Sequence, residues 1–258
     1  MMLPSLFVSH GSPRIAIMNN SSTDFLKNLS SLYPEPKYIL IISAHWTTSD
    51  LKIMSNPNPE LIYDFYGFED ALYAKKYNAI NNIEQVNKIV STLKEKNISI
   101  VKDESREGYD HGVWTALSLM YPQANIPVIQ LSLPIYFSNL ELLNIGEALQ
   151  SLRDDTLIIG SGAMTHNIAG ALRDENAPIA PYAQEFRDWV VQNIEDGKYN
   201  ELLDFKTNAP CVYENHPTLE HFLPLFISLG ASKNKKGKSL HNIYMHGNQS
   251  MDTIIFED

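Results

Sequence analysis

The chain has 258 residues, enough for one large α/β domain with a sizeable core and short for two. Hydrophobic residues make up 44 % and charged residues 19 %, the balance of an ordinary soluble globular chain, and a formal charge of −10 argues against nucleic acid or an anionic membrane as the main partner. The single cysteine, Cys211, excludes an internal disulfide framework and a cysteine-based zinc cluster, and suits a reducing cytoplasm.

Met1 to Leu6 carry Pro4 and no basic residue, which is not a signal-peptide pattern. No stretch approaches the roughly 18 uninterrupted apolar residues of a membrane span. LFVS (6–9) and YILIIS (38–43) read as strands buried on both faces, the habit of parallel sheets. Between them TDFLKNLSSLY (23–33) has helical spacing and a Thr or Asp N-cap, giving a βαβ unit. Ile83, Val86, Ile89, Val90 and Leu93 recur at three- and four-residue steps and predict an amphipathic helix over 82–96. ISIV (98–101) is a short strand, VWTALSLMY (113–121) a helix and PVIQLSL (127–133) a strand. Leu142, Ile145, Leu149 and Leu152 mark another helix, and TLIIG (156–160) another buried strand.

The segment 181–195 is helical with Phe186, Val190 and Ile194 inward. LEHFLPLFISLG (219–230) reads as a helix despite Pro224, stopped by Gly230. KNKKGKS (233–239) is a solvated loop, and NIYMHG and TIIFE near the end form a pair of strands. There is no internal repeat and no long linker. The expectation is one α/β domain over 1–258, with a mixed, largely parallel sheet flanked by helices.

His10, His45 and His166 each sit just past the end of one of these buried strands. Ligands of open α/β sheets bind beyond the carboxyl ends of the parallel strands. If the three strands are parallel, three rigidly placed imidazoles reach one cleft. A single histidine after a strand is more often a hydrogen-bonded loop residue, but three of the chain's eight at equivalent ends favour the shared cleft. His221 falls in the first turn of the predicted 219–230 helix, whose positive end disfavours an imidazolium; it reads as a neutral, metal-competent group or as a surface histidine. His111, in GYDHGVW, reads as functional or as a turn residue. His216, before Pro217, reads as structural, and His241 and His246 receive no role. Neutral imidazoles suit zinc, iron, copper or nickel, and three protein ligands with an open position is the catalytic pattern. No nucleophile elbow, P-loop or GxGxxG is present, so Ser9, Ser43 and Ser161 read as small packing or supporting residues.

Taken in order, SLFVSHGSP, SAHW, IYDFYGF (62–68), DHGVWTALSLMYP (110–122), IPVIQLSL (126–133), IGSGAMTHN (159–167) and HPTLEHFLPL (216–225) resemble the DODA-type extradiol ring-cleaving dioxygenases of the LigB-like, class III superfamily. The resemblance covers nearly the whole chain. It implies a non-haem Fe(II) enzyme that opens a catechol ring with O2, and the family name suggests a dihydroxyphenylalanine-like substrate. His10 and His45 are implied as metal ligands. His166 is implied as the acid/base, close enough to be a further ligand in some states, and His111 as a substrate- or oxygen-facing group. Where protocatechuate-cleaving relatives place a glutamate, the third ligand falls on His221, with Glu220 as the alternative if the helix start shifts by one residue. A three-histidine site is as natural for Zn(II) as for Fe(II).

On this reading His166 takes a proton as catechol binds and returns it later, and His111 hydrogen-bonds to oxygen or a substrate hydroxyl. Tyr63, Phe65, Tyr66 and Phe68 read as ordinary core first and as a wall for an aromatic substrate second. A substrate carboxylate would call for Arg14, Arg106 or Arg173. Two other classes remain open: a zinc hydrolase using the same cleft, and a non-enzymatic metal-binding homologue. A cytoplasmic monomer acting on a small aromatic substrate, with no nucleic acid or membrane partner, completes the expectation.

Overall fold

A computed structural model describes residues 2–258; Met1, part of the N-terminal stretch considered above, lies outside the described residues. The first half runs β1 (Ser5–Ser9), α1 (Ser21–Leu29), β2 (Tyr38–Thr48), β3 (Lys52–Met54), β4 (Glu60–Leu61), α2 (Asp70–Tyr73), α3 (Ile83–Glu95), β5 (Val101–Asp103), β6 (Gly108–Tyr109), α4 (His111–Met120) and β7 (Val128–Pro134). The second half runs α5 (Asn139–Leu149), β8 (Thr156–Gly162), α6 (Pro181–Asp196), α7 (Tyr199–Leu203), α8 (Phe205–Asn208), α9 (Val212–Asn215), α10 (Pro224–Gly230), β9 (Gly237–His241), β10 (Tyr244–Met245), β11 (Gln249–Ser250) and β12 (Thr253–Phe256).

Eight strands form one sheet in the order β5-β3-β7-β2-β8-β1-β12-β9. The central four, β7, β2, β8 and β1, are mutually parallel. β3 meets β7 antiparallel and β12 meets β1 antiparallel, so the sheet is mixed with a parallel centre, as expected. Alternation along the strands builds a core on each face. Phe7, Leu40, Ile42 and Ile158 pack under α3, α5, α6 and α10. Leu6, Val8, Ile39, Ile41 and Ile159 pack under α1 and α4. Each such fully buried aliphatic side chain contributes roughly 1.5–3 kcal/mol.

Several boundaries differ from the sequence reading. α1 starts at Ser21 because Asn20, not Thr23 or Asp24, caps it, in a reciprocal capping box with Thr23. α4 starts at His111 rather than 113. The strand expected at 98–101 forms at Val101–Asp103, where it pairs with β3. The helix expected over 219–230 begins only at Pro224. Proline has no N–H to donate to a preceding turn and suits the first helical position, so residues 219–223 form a separate turn. Gly237–Ser239, expected in a loop, belong to β9. The two terminal segments do not pair with each other: Tyr244–Met245 pairs with Gln249–Ser250, while β12 inserts between β1 and β9. Among the described residues, no helix is long and apolar enough to cross a membrane.

Candidate metal and catalytic site

Because β1, β2 and β8 are parallel neighbours, their carboxyl ends open on one edge of the sheet. His10 follows β1 directly. His45 lies inside β2, not past its end. The pairing of β2 with β7 slips between Ile42 and Thr47, and this irregularity frees His45 from the flat ladder. His221 comes from the turn before α10, whose carbonyl accepts the Ala163 N–H at 2.9 Å. That approach needs Gly162: a Cβ there would land on the His221 carbonyl.

Three ring nitrogens converge. His45 Nε2 lies 3.1 Å from His10 Nε2 and 3.3 Å from His221 Nε2. The Nδ1 atoms all face acceptors. The Ser161 hydroxyl gives its proton to Gly112 O, so its lone pairs receive the His10 Nδ1–H at 2.9 Å. The Glu220 carboxylate, 3.3 Å from His221 Nδ1, can only accept. Asp64 Oδ2 lies 3.5 Å from His45 Nδ1. With the proton on each Nδ1, three bare Nε2 lone pairs point at one another, an arrangement that repels unless a cation sits among them. This trio fits a divalent transition metal. Glu220, the alternative third ligand, instead supports His221 from behind.

Two more histidines border the trio. The His166 ring stacks on His221 at 3.5 Å between centroids and 7° between planes. The His111 ring lies 3.8 Å from that of His45. All five line one cavity of about 490 Å3. Sequence reasoning therefore named the five histidines that meet here, and passed over Asp64, whose neighbours in IYDFYGF drew attention to aromatic packing instead. Asp64 Oδ1 accepts from both the backbone and the ring of His111.

A profile of the catalytic LigB subunit of aromatic ring-opening dioxygenases matches residues 4–253. The chain belongs to the LigB family. It is 37 % identical over 257 residues to a 4,5-DOPA dioxygenase extradiol of Beta vulgaris, covering 98 % of this chain and 96 % of that one. It is 32 % identical to a protein of the same description from Escherichia coli K12, covering 89 % and 85 %. Its fold is similar to the crystal structure of an uncharacterized E. coli K12 protein, with a TM-score of 0.80, 26 % identity, and 99 % and 100 % of the two chains covered.

In this LigB-family site burial disfavours the charged forms of His10, His45, His221 and His166. Burial, then the neighbouring His45 and His221, pushes His10 well below the ordinary imidazole range. Burial lowers His45 to about 4 and His221 to about 3, despite nearby carboxylates that favour their charged forms. For His221 the cause is therefore burial, not the helix end expected from the sequence. Burial also lowers His166. Glu220 is held at about 2: burial works against its charge, but hydrogen bonds from His221, its own backbone and Thr218 outweigh it.

The remaining residues sort by contact. Ser9 Oγ accepts from the Met164 N–H, and Ser43 donates to Asp110. Asp110 is buried and also receives Arg106 and Gln130, which ties the bulged part of β2 to α4. His216 is buried, donates to Met164 O at 2.9 Å and packs on Phe186 and Phe222. Phe65 and Phe68 line the cavity, whereas Tyr63 packs on Trp114 with its hydroxyl on Lys75 O, and Tyr66 is 92 % exposed. None of Arg14, Arg106 and Arg173 lines the cavity.

Proposed function

We propose that the protein is an extradiol dioxygenase that opens a catechol ring with O2, with His10, His45 and His221 holding Fe(II). The observation that carries this reading is the convergence of three bare Nε2 atoms beside two further histidines in one cavity. The family match and the names of the relatives support it. When bound, the ion supplies a Lewis-acidic, redox-active centre that lowers the pKa of a catechol hydroxyl.

The chain's own groups do the rest. His166, neutral and stacked on His221, receives the catechol proton and later returns it to the ring-opening intermediate. His111, fixed by Asp64, presents its other ring nitrogen to the substrate hydroxyl or to oxygen. Phe65 and Phe68 flank the aromatic ring and keep water from it. The product is a ring-opened semialdehyde acid. The three-nitrogen set also accepts Zn(II), which would leave the protein inactive in this reaction. A monomer in the reducing cytoplasm completes the proposal, in keeping with the lone, unpaired Cys211.

The test is O2 uptake with simple catechols by protein stripped of metal and reloaded anaerobically with Fe(II), beside a Zn(II)-loaded sample. Iron-dependent uptake with a yellow ring-opened product is expected. Metal-loaded protein that consumes no O2 with any catechol, or cleaves an ester with zinc instead, overturns the reading. His166→Gln should retain the metal and lose about 10²–10⁴-fold in turnover; full activity would remove His166 from the mechanism.

A further inference from the structure

β8 ends at Gly162, and residues 163–167 beyond it belong to no helix or strand. Ala163, Met164 and Thr165 are nevertheless buried, so their backbone groups must find partners without a ladder. The Ala163 N–H donates to His221 O at 2.9 Å, the Met164 N–H to Ser9 Oγ at 3.1 Å, and the His166 N–H to Asn215 O at 3.0 Å. This pinned segment delivers His166 to the cavity.

His166 is held differently from the other four imidazoles. His10, His45, His111 and His221 each have a hydroxyl or a carboxylate at Nδ1. Among the described residues, no such side chain meets the His166 ring, which lies flat on His221. The backbone on either side of His166 therefore sets where that ring sits.

Asn248 takes hold of this backbone on both sides. Its carbonyl accepts the Thr165 hydroxyl at 2.8 Å, and its Nδ2 donates to Asn167 O at 2.7 Å. A carbonyl only accepts, so the amide nitrogen, not the amide oxygen, faces Asn167. The same Nδ2 reaches the Tyr182 hydroxyl at 3.0 Å. Asn248 is 1 % exposed and ends the turn between β10 and β11, where His246 and Gly247 are left-handed with φ of 56° and 78°. That turn is anchored from outside. The Leu172 N–H donates to His246 O at 2.9 Å, and the Ala180 N–H to Gly247 O at 2.7 Å. A Cβ on Gly170 would lie 2.9 Å from the Tyr182 hydroxyl and 3.1 Å from Asn248 Nδ2, so the amide has little room to turn away.

Resting on the dioxygenase reading above, we propose that Asn248 is a positioning residue for His166. By clamping Thr165 and Asn167 it fixes the imidazole between them at the distance from the substrate that proton transfer requires. It touches neither the substrate nor the three proposed metal ligands, so its effect falls on turnover rather than on binding.

Asn248→Ala removes the amide and leaves the backbone carbonyl in place. On Fe(II)-loaded protein kcat with a simple catechol should fall about tenfold or more. Zinc affinity, read by chelator competition, and anaerobic catechol binding should stay within about twofold of wild type. An unchanged kcat overturns the proposal. The same substitution in a His166→Gln background should cost less than about twofold, because the group it positions is already gone. An equal loss in both backgrounds would show that Asn248 supports the fold and not His166, and would overturn the proposal. Should Asn248→Ala not fold, Tyr182→Phe, which removes one partner of the amide, decides: a loss of kcat confined to the His166-containing background supports the proposal, and no loss overturns it. Nitrogen-15 NMR of the zinc-loaded protein separates the two readings. Wild-type protein without O2 uptake removes the dioxygenase activity alone. The positioning role then stands if Asn248→Ala shifts or broadens the His166 ring signals and spares those of His10 and His45, and falls if the His166 signals are unchanged.

Discussion

Asp64 and His111 are joined twice: Oδ1 accepts the ring Nδ1–H at 2.8 Å and the backbone N–H at 3.1 Å. Burial works against the Asp64 charge, but the His111 hydrogen bonds outweigh it and hold the carboxyl below its ordinary pKa. The second oxygen reaches toward His45. One carboxylate thus holds a proposed metal ligand, His45, and a proposed substrate-facing imidazole, His111, together. Asp64→Ala should lower turnover by about 10–100-fold, and Asp64→Asn, which keeps an acceptor oxygen, should recover part of it. Nitrogen-15 NMR of the imidazoles checks the cause. His111 should lose its single tautomer in Asp64→Ala, and an unchanged tautomer would show that Asp64 does not set it.

Ser161 performs the corresponding task for His10. Ser161→Ala leaves the His10 Nδ1–H buried without its acceptor, which costs about 1–3 kcal/mol. Zinc affinity, read by competition with a chromogenic chelator, should fall about 10–100-fold with little change in the circular dichroism spectrum. Wild-type affinity in this variant would show that the serine does not orient the ring.

Gly162 lies where β8 passes the His221 carbonyl. Gly162→Ala forces these two backbones apart, at a cost of about 1–3 kcal/mol. Because the displaced segment carries His221, metal affinity should fall along with the unfolding midpoint. A variant with a lowered midpoint and full metal affinity would contradict this coupling.

His216 makes acid stability measurable. It is fully buried, and burial lowers its pKa from 6.5 to about 4. The unfolded chain therefore binds a proton at this position between those two values while the folded chain does not. Stability from this group is complete above the unfolded pKa and is lost as pH falls from 6.5 toward 4, by at most roughly 3 kcal/mol. His216→Phe, which suits the contacts with Phe186 and Phe222, should flatten that part of the urea-unfolding profile, while losing the hydrogen bond to Met164 O at every pH. Parallel pH profiles for the two proteins would exclude His216 as a source of the acid sensitivity.

Much of the architecture is legible in local patterns. Apolar runs such as ILII at 39–42 must be buried on both faces, because successive strand side chains point to opposite sides. Helical spacing gives α3 within a residue at each end, because a single apolar stripe faces the core. Where competing local signals met, the reading slipped. The apolar spacing of 219–230 suggested one helix, but Pro224 begins it, and His221 belongs to the turn before.

The sequence by itself determined that buried apolar runs lead into histidines, since hydrophobic period and residue type are properties of neighbouring positions. Only the tertiary structure decided what each imidazole faces. His10 and Ser161 are 151 residues apart, and His45 and His221 are 176 apart. The order of strands β2-β8-β1 brings them together. The tertiary packing around that sheet sets which nitrogen of each ring is left bare, where Asp64 sits, and which arginines stay outside the cavity. A hydrogen bond depends on distance and angle between groups far apart along the chain, and no local spacing encodes these.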